Sequence, residues 1–411
     1  MANEQQGKML VGLDIGTSKV VAIVGALTAD GGIEIVGVGT HVSRGLKKGV
    51  VVNIESTVDA IHRAVREAEL LAGCNIHSVY AGIAGSHIQS QNSNGVVAVR
   101  GKEITEPDME RVIDAARAVA IPQDRRTIHV LPQDYSVDDQ EGIHEPVGMA
   151  GVRLEARVHL ISAAVNAAQN IDRCIQRCNL VTEELVLEQL ASSYATLTDD
   201  ERQLGVCMVD IGGGTTDIAI FAGGAIRYTS VIPIAGDQVT NDIATALLTP
   251  TQEAESLKLN YACALQKLTD EDELISVPSV GDRPPRKLSR LLLAEVIEPR
   301  YEELFQMVLD DIEASGYAEY IPAGIVLTGG TAKMEGAVEL AEEIFHMPVR
   351  LATPKGVSGL VEVVDHPMYS TAVGLLLYAA KQQKNHPAEN IEENNESGIF
   401  SRIAEWIKGN F

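Results

Sequence analysis

Apolar residues recur along this chain with two periods. Residues 8–25 (KMLVGLDIGTSKVVAIVG) form two apolar runs around a short Gly-containing turn, and 33–43 continue as a strand. Val58, Ile61, Val65, Ala68 and Leu71/Ala72 fall on one stripe at helical spacing, which predicts a helix over 57–73 ending at Gly73. Residues 78–85 (SVYAGIAG) read as a buried strand. From about 86 to 160 the character changes. Thr105-Glu106-Pro107-Asp108 marks a helix start, and two β-rich stretches (TIHVLPQDYSVD and RLEARVHLISAA) follow, which predicts a small α+β domain inserted into the first. Residues 166–200 read as helix, short strand and a second helix near Gln189. Strands return over 204–232, and 237–315 are mainly helical around a polar stretch at 277–290. A strand into a Gly-rich turn and helix follows (321–336), then a closing helix (370–381). After Lys381 the chain turns rich in Asn and Glu and loses periodicity, which predicts a disordered linker over 382–398.

Bulk composition narrows the class. At 411 residues the chain is long enough for two or more domains. Aromatics are only 4%, so the core must be built from Val, Ile, Leu and Ala, which suits α/β layers. A net charge of −24 argues against nucleic acid, whose phosphates need clustered cations, and confines any membrane contact to a local segment. The five cysteines form no CxxC pair and read as reduced thiols, and no HExxH spacing occurs among the ten histidines. The N-terminus (MANEQQGKML) lacks the apolar run of a signal peptide, and the longest apolar stretches, such as 372–380, are about half a membrane span, which predicts a cytosolic chain or one attached from the cytosolic side.

The strongest chemical signal is an internal repeat. VGLDIGTSKVVAIV (11–24) and CMVDIGGGTTDIAIF (207–221) share one layout: apolar strand, Asp-Ile-Gly, small hydroxyl and glycine residues, apolar strand. Asp14 and Asp210 stand about 200 residues apart, one domain's length, so a duplicated fold with a cleft between its halves follows. Glycines at such turns let backbone N–H groups approach phosphate oxygens, Ser and Thr add hydroxyl donors, and Lys19 adds a point charge. Asp14 and Asp210 would repel phosphate directly, so their useful role is to hold the waters of Mg2+. Either turn alone could be a mere hairpin; the pair, followed by GIVLTGGTAKMEG (324–336), points to a nucleotide. In that third motif Gly329-Gly330 would give a flat backbone surface for an adenine ring. No GxxxxGK[ST] is present, which excludes a P-loop.

The tail regains a pattern at its end. Ile399, Phe400, Ile403, Trp406 and Ile407 take one helical face, with Arg402, Glu405 and Lys408 on the other. This amphipathic segment, holding the chain's only Trp, predicts an in-plane membrane-binding helix over 399–411.

The order of motifs is that of the actin/sugar-kinase/Hsp70 superfamily. Within it the chain closely resembles the FtsA family of bacterial cell-division proteins, through LDIGTSKV, SRGLKKGVV, LPQDYSVDDQEGIHEPVGM, LASSYATL, GVCMVDIGGGTTDIAIF, GIVLTGGTAKMEG and STAVGLLLYA. The resemblance implies an α/β, actin-like (ribonuclease H-like, duplicated) ATPase fold with an inserted subdomain 1C and a C-terminal amphipathic helix. Its parts would be 1A (1–84, 163–203 and 366–381), 1C (85–162), 2A (204–235 and 306–365) and 2B (236–305). It implies ATP and Mg2+ as cofactors. The nucleotide-binding residues would be Asp14, Gly16, Thr17, Ser18 and Lys19, then Asp210, Gly212, Gly213, Gly214, Thr215, Thr216 and Asp217, then Gly236, Lys258, Gly329, Gly330, Thr331 and Met334. Glu188 sits where related ATPases orient the attacking water, so at most slow hydrolysis is expected. It further implies self-assembly into filaments, membrane lipids, the FtsZ C-terminal peptide and later division proteins as partners, at the septum on the inner face of the cytoplasmic membrane. Arg290 and Arg300, near a basic cluster (Arg283, Arg286, Lys287), are the candidates for the peptide's acidic groups. A sugar kinase on the same fold is the alternative. It would need a carboxylate base facing a sugar pocket, which the sequence does not locate.

Overall fold

A computed structural model describes residues 8–281 and 283–385 of the chain. The predicted amphipathic helix and most of the predicted linker lie outside these residues.

The duplication inferred from the two Asp-Ile-Gly turns is a duplication of whole sheets. In the first half, Ile33–Val42, Lys19–Leu27 and Met9–Ile15 pair antiparallel, and Ser78–Ile83 and Val181–Leu187 add in parallel beyond them. The second half repeats this order: Ala225–Ile232, Thr216–Ala222 and Val206–Ile211 antiparallel, then Ile325–Thr328 and Val349–Leu351 in parallel. The short strand Ser358–Gly359 extends the first sheet at its outer edge. Central strands are buried along their length, as the Val- and Ile-rich runs require.

The helix predicted over 57–73 spans Ile54–Ala72, capped by the Asn53 side chain and stopped at Gly73 in the left-handed conformation. Its buried face keeps Ile61, Val65 and Ala68 of the predicted stripe, with Val58 and Ala72 packed beside them, and widens to further alanines. Ala60, Ile61, Ala64, Val65 and Ala68 are buried, whereas Leu71 is exposed. The cause lies in the strand beneath: a Cβ on Gly39 would come within 1.9 Å of the Ala64 carbonyl oxygen, so the helix beds its alanines onto glycines.

The inserted region forms its own four-stranded sheet, in the order Ile88–Ala98, Arg153–Ala164, Arg125–Val137, Gln140–Ile143. Helix Glu106–Arg117 packs on it over a core of Val112, Ala116, Leu154, Ala156 and Val158. The predicted helix start is present, with Asp108 accepting from the Thr105 amide and hydroxyl. Strand Ile88–Ala98 was not expected, because its sequence (IQSQNSNGVVA) is mostly polar. Its side chains serve a contact instead: Ser90 donates to the Thr229 carbonyl at 2.9 Å and Asn92 to the Arg227 carbonyl at 3.2 Å. Both carbonyls belong to the edge strand of the second half, which is thereby capped.

Three further features mark the second part of the chain. The polar stretch at 277–290 contains one arm of a β-hairpin, Leu274–Val277 paired with Arg286–Ser289. The boundary at 305 falls inside the continuous helix Arg290–Ser315. The closing helix runs from Ser370 to Asn385, past the linker start expected at 382.

Two helices join the halves and pack against each other: Glu188–Thr196 and Ser370–Asn385. A Cβ on Gly374 would lie 1.9 Å from the Ala191 carbonyl oxygen, so only glycine permits this crossing.

Candidate functional site

The two sheets bring their Asp-Ile-Gly turns face to face. Each turn is closed by the same bond: the Gly16 amide donates to the Lys19 carbonyl and the Gly212 amide to the Thr215 carbonyl, both at 2.9 Å. Asp14 pairs in register with Val21, and Asp210 with Asp217, so each aspartate ends a buried strand one residue before its turn. The approach is close. A Cβ on Gly213 would meet the Ser18 hydroxyl at 2.8 Å, and one on Gly214 the Thr17 hydroxyl at 2.5 Å. The sequence reading required glycine at both places for backbone access to a ligand, and the facing turn gives a second reason.

A cleft opens between these turns. Its wall includes Asp14, Gly16 to Lys19, Glu188, Asp210, Gly212 to Thr215, Asp217, Gly329 and Gly330. It continues past Ser18, Lys19, Gly212 and Gly213 into a second chamber walled by Lys258, Gly330, Thr331 and Met334. Most of the sequence-predicted site is therefore one continuous surface. Lys258 donates to the Gly236 carbonyl and the Thr240 hydroxyl and pairs with Glu255 at 2.7 Å. Gly236 sits behind the wall, its amide bonded to the Gly212 carbonyl, which also accepts from the Thr331 hydroxyl at 2.7 Å.

Thr216 departs from expectation. It is fully buried, its hydroxyl donates to the Ile234 carbonyl at 2.7 Å, and it does not line the cleft. Its position in the strand register turns it away from the turn, so it holds a neighbouring segment instead. Glu188 takes a place consistent with its proximity to the phosphate turns. It is the first residue of the connecting helix, in the cleft wall and close over Gly82.

Four carboxyl groups share this cleft with Lys19, whose ammonium lies 3.3 Å from Asp14 and also donates to the Met368 carbonyl. The electrostatic cost shows in the acids. Burial, reinforced by Asp14, Asp217 and Asp210, raises Glu188 well above the usual carboxylate range. Burial pushes Asp210 up to about 6 against an opposing hydrogen bond from Ser192, and pushes Asp217 up to about 8 with help from Asp210. Asp217 Oδ1 is buried and has no hydrogen-bond partner among the described residues, although Thr215 donates to the other oxygen at 3.0 Å. Donors on two turns, one ammonium and surplus acid together suit a phosphate chain accompanied by a divalent cation and its waters.

The raised Asp217 carboxyl has a measurable consequence. The folded state holds its proton above the unfolded value of about 4, so folded chains bind more protons than unfolded ones between about pH 4 and 8. In metal-free buffer its contribution to stability should therefore fall as pH rises through that window and level off above it. Thermal melting from pH 5 to 8.5 should show a shallower decline in Asp217→Asn.

Several cleft residues were missed from sequence. Gly49, whose amide donates to the Thr17 hydroxyl at 3.0 Å, comes from SRGLKKGVV, a stretch that carried the resemblance but received no role. Asp237, His366, Met368 and Thr371 also line the wall; Asp237 follows the predicted Gly236 and Thr371 opens the closing helix, whereas His366 and Met368 come from a segment with no glycine or hydroxyl signature. The arginine candidates lie elsewhere and are already paired. Arg290 bonds Glu273, Glu335 and the Tyr261 carbonyl, and Arg300 bonds Asp242 through two nitrogens and also Glu303. Arg300 thereby ties its helix to Gly236–Ala246, and Arg290 ties the start of the same helix to Tyr261, Glu273 and Glu335.

Comparison with known proteins agrees with this geometry. A family model described as cell division protein FtsA matches residues 207–374, and one described as the SHS2 domain inserted in FtsA matches 85–162. The chain is 63% identical to the cell division protein FtsA of Pseudomonas aeruginosa, over 100% of both chains. It is 47% identical to that of Escherichia coli K12, over 98% of this chain and 96% of the relative. Among solved structures it is similar to a PilM–PilN type IV pilus biogenesis complex (TM-score 0.67, 17% identity, 90% of this chain and 98% of that one). It is also similar to MreB5 of Spiroplasma citri bound to ADP (TM-score 0.56, 14% identity, 93% of this chain and 100% of that one). The fold is thus actin-like, and with that likeness over its full length to curated relatives the chain belongs to the FtsA family of cell-division proteins.

Proposed function

We propose that this chain binds ATP with Mg2+ in the cleft between its two turns, and assembles into filaments on the inner face of the cytoplasmic membrane. There it ties the FtsZ ring to the septal membrane through its C-terminal amphipathic segment and helps recruit later division proteins. The observation that carries the nucleotide part is the facing pair of turns, with glycine backbone and Thr17, Ser18 and Thr215 hydroxyls around Lys19. The second chamber beside Gly330 and Met334 is the natural place for the adenosine, with Lys258 at its sugar side. Asp14 and Asp210 would hold the cation's waters. Among the described residues no three His, Cys, Asp or Glu side chains are grouped to grip a bare metal ion, so phosphate oxygens and water would complete its shell.

Calorimetric titration of the full chain with ATP and Mg2+ tests the reading, which calls for saturable one-to-one binding and no phosphoryl transfer to sugars. Glu188 supplies a sharper expectation. It places a fourth acid beside the phosphate site, held toward its neutral form by burial, so Glu188→Gln, which mimics that form, should leave ATP affinity within about twofold of the wild type. If Glu188 orients the attacking water, the same change should slow phosphate release by about 100-fold.

The FtsZ peptide would dock on the subdomain that carries Arg290 and Arg300, exchanging one carboxylate partner for another. Arg300→Glu should weaken peptide binding by at least tenfold while shifting the melting temperature only modestly, since the Asp242 pair is partly solvated. Fluorescence anisotropy with the labelled peptide measures it, and undiminished binding would remove Arg300 from the interface.

A further inference from the structure

The two aspartates that the duplication makes equivalent are held in different ways. Asp14 lies beside the Lys19 ammonium. Asp210 has no cation within ion-pair distance among the described residues; instead both connecting helices reach it with hydroxyls. Ser192, on Glu188–Thr196, donates to Asp210 Oδ2 at 2.6 Å. Thr371, the second residue of Ser370–Asn385, lies 3.4 Å from the same oxygen and 3.0 Å from the Ser192 hydroxyl. Ser192 spends its one proton on the carboxylate, so the single Thr371 proton is shared between the nearer Ser192 oxygen and the more distant carboxylate oxygen. All three side chains are buried.

We propose that Ser192 and Thr371 are positioning residues for the Mg2+–nucleotide complex: a hydroxyl clamp that fixes the Asp210 carboxylate and ties both connecting helices to the phosphate site. This rests on the nucleotide reading given above. With Oδ2 occupied by the clamp, Oδ1 lies over Gly329 on the wall of the cleft, where a Cβ on that glycine would come within 2.4 Å of it. The carboxylate is thereby left one working oxygen in a defined direction. Neighbouring contacts make the clamp stiff. Thr196 donates back to the Ser192 carbonyl at 2.7 Å, and Ser370, next to Thr371, bonds the Thr328 hydroxyl at 2.7 Å. Consecutive hydroxyls at the start of the closing helix thus reach two adjacent strands of the second half. A hydroxyl that only satisfied a buried acid would need one helix; here two helices from the first half converge on one oxygen, so any rotation between the halves must carry Asp210 or break the clamp. Among the described residues the first half shows no counterpart: Lys19 and Asp14 sit on the same hairpin and move together.

The test is a Mg2+ titration of fluorescent ATP-analogue binding by the full chain, run beside binding in EDTA. Ser192→Ala should raise the Mg2+ concentration for half-maximal enhancement roughly tenfold, the value of one hydrogen bond to a charged group, with the loss confined to the Mg2+-dependent part. Thr371→Val should shift it by a smaller factor, about threefold, because its contact is longer. Thr371→Ser, which keeps the hydroxyl, should restore the wild-type response, and the Val/Ser pair decides the matter should Ser192→Ala fail to fold. Equal weakening with and without Mg2+, or a lowered melting temperature with unchanged Mg2+ dependence, would show that the hydroxyls only fill the helix junction and would overturn the clamp. A wild-type chain that binds the analogue in neither condition would overturn the nucleotide reading first, and the clamp with it.

Discussion

A Gly329→Ala chain is expected to lose nucleotide affinity by about 100-fold and to melt well below the wild type. Gly329 has φ +88, a region that costs an L-residue about 1–2 kcal/mol. Its added Cβ would also stand 2.4 Å from both Asp210 Oδ1 and the Ile211 carbonyl oxygen, neither of which is a flexible side-chain end. Relieving that overlap must move the strand bearing Asp210 or the turn that follows it, at roughly 1–3 kcal/mol more. Either movement spoils the phosphate end of the cleft, and 100-fold corresponds to about 2.7 kcal/mol of binding. The adjacent Gly330 is the control. Its φ is −60, and a Cβ there would meet Met368 at an ordinary 3.5 Å. Gly330→Ala should therefore keep wild-type melting within a degree or two. Thermal melting and analogue binding on both variants check the pair, and equal behaviour would contradict the role assigned to Gly329.

The second large effect is expected from ending the chain after Asn385. The closing helix is described to that residue, so a cut there leaves its last turn in place, whereas a cut at 381 would shorten it. The removed segment contains Ile399, Phe400, Ile403, Trp406 and Ile407. Five such side chains, at about 1.5–3 kcal/mol each when fully buried, set a gross upper limit near 15 kcal/mol, reduced considerably by partial immersion and ordering. One copy should bind lipid weakly and a filament of many copies firmly, through avidity. The shortened chain should leave liposome pelleting at background while retaining ATP binding. Trp406→Glu in the full chain should cause a large part of the same loss. Undiminished pelleting of the shortened chain would place the lipid contact elsewhere.

The parts of this molecule that were legible in sequence are those where local chemistry and fold agree. The Asp-Ile-Gly turns could be read because a turn between buried strands needs glycine and small hydroxyls, and because the pattern occurs twice. Gly73 and Thr105–Asp108 could be read because helix ends carry local signatures. What escaped is set by distant partners. Strand Ile88–Ala98 reads as loop because Ser90 and Asn92 answer carbonyls some 135 residues further on. The extra width of the buried face of helix Ile54–Ala72 depends on glycines in a neighbouring strand, which no helical period reports. Glu188, Ser192 and Thr371 meet Asp210 and its surroundings only because two helices from separate parts of the chain cross at Gly374. Arg290 and Arg300 look free in sequence, since Glu335 and Asp242 are distant from them along the chain.

In the proposed role ATP organises this chain at a membrane, with turnover secondary. Co-sedimentation of the full chain with anionic liposomes, as a function of protein concentration with ATP, with ADP and without nucleotide, tests this most directly. ATP with Mg2+ should make lipid binding steeply cooperative and produce filaments on the liposome surface by electron microscopy. Binding curves that coincide in all three conditions, with no filaments, would contradict it.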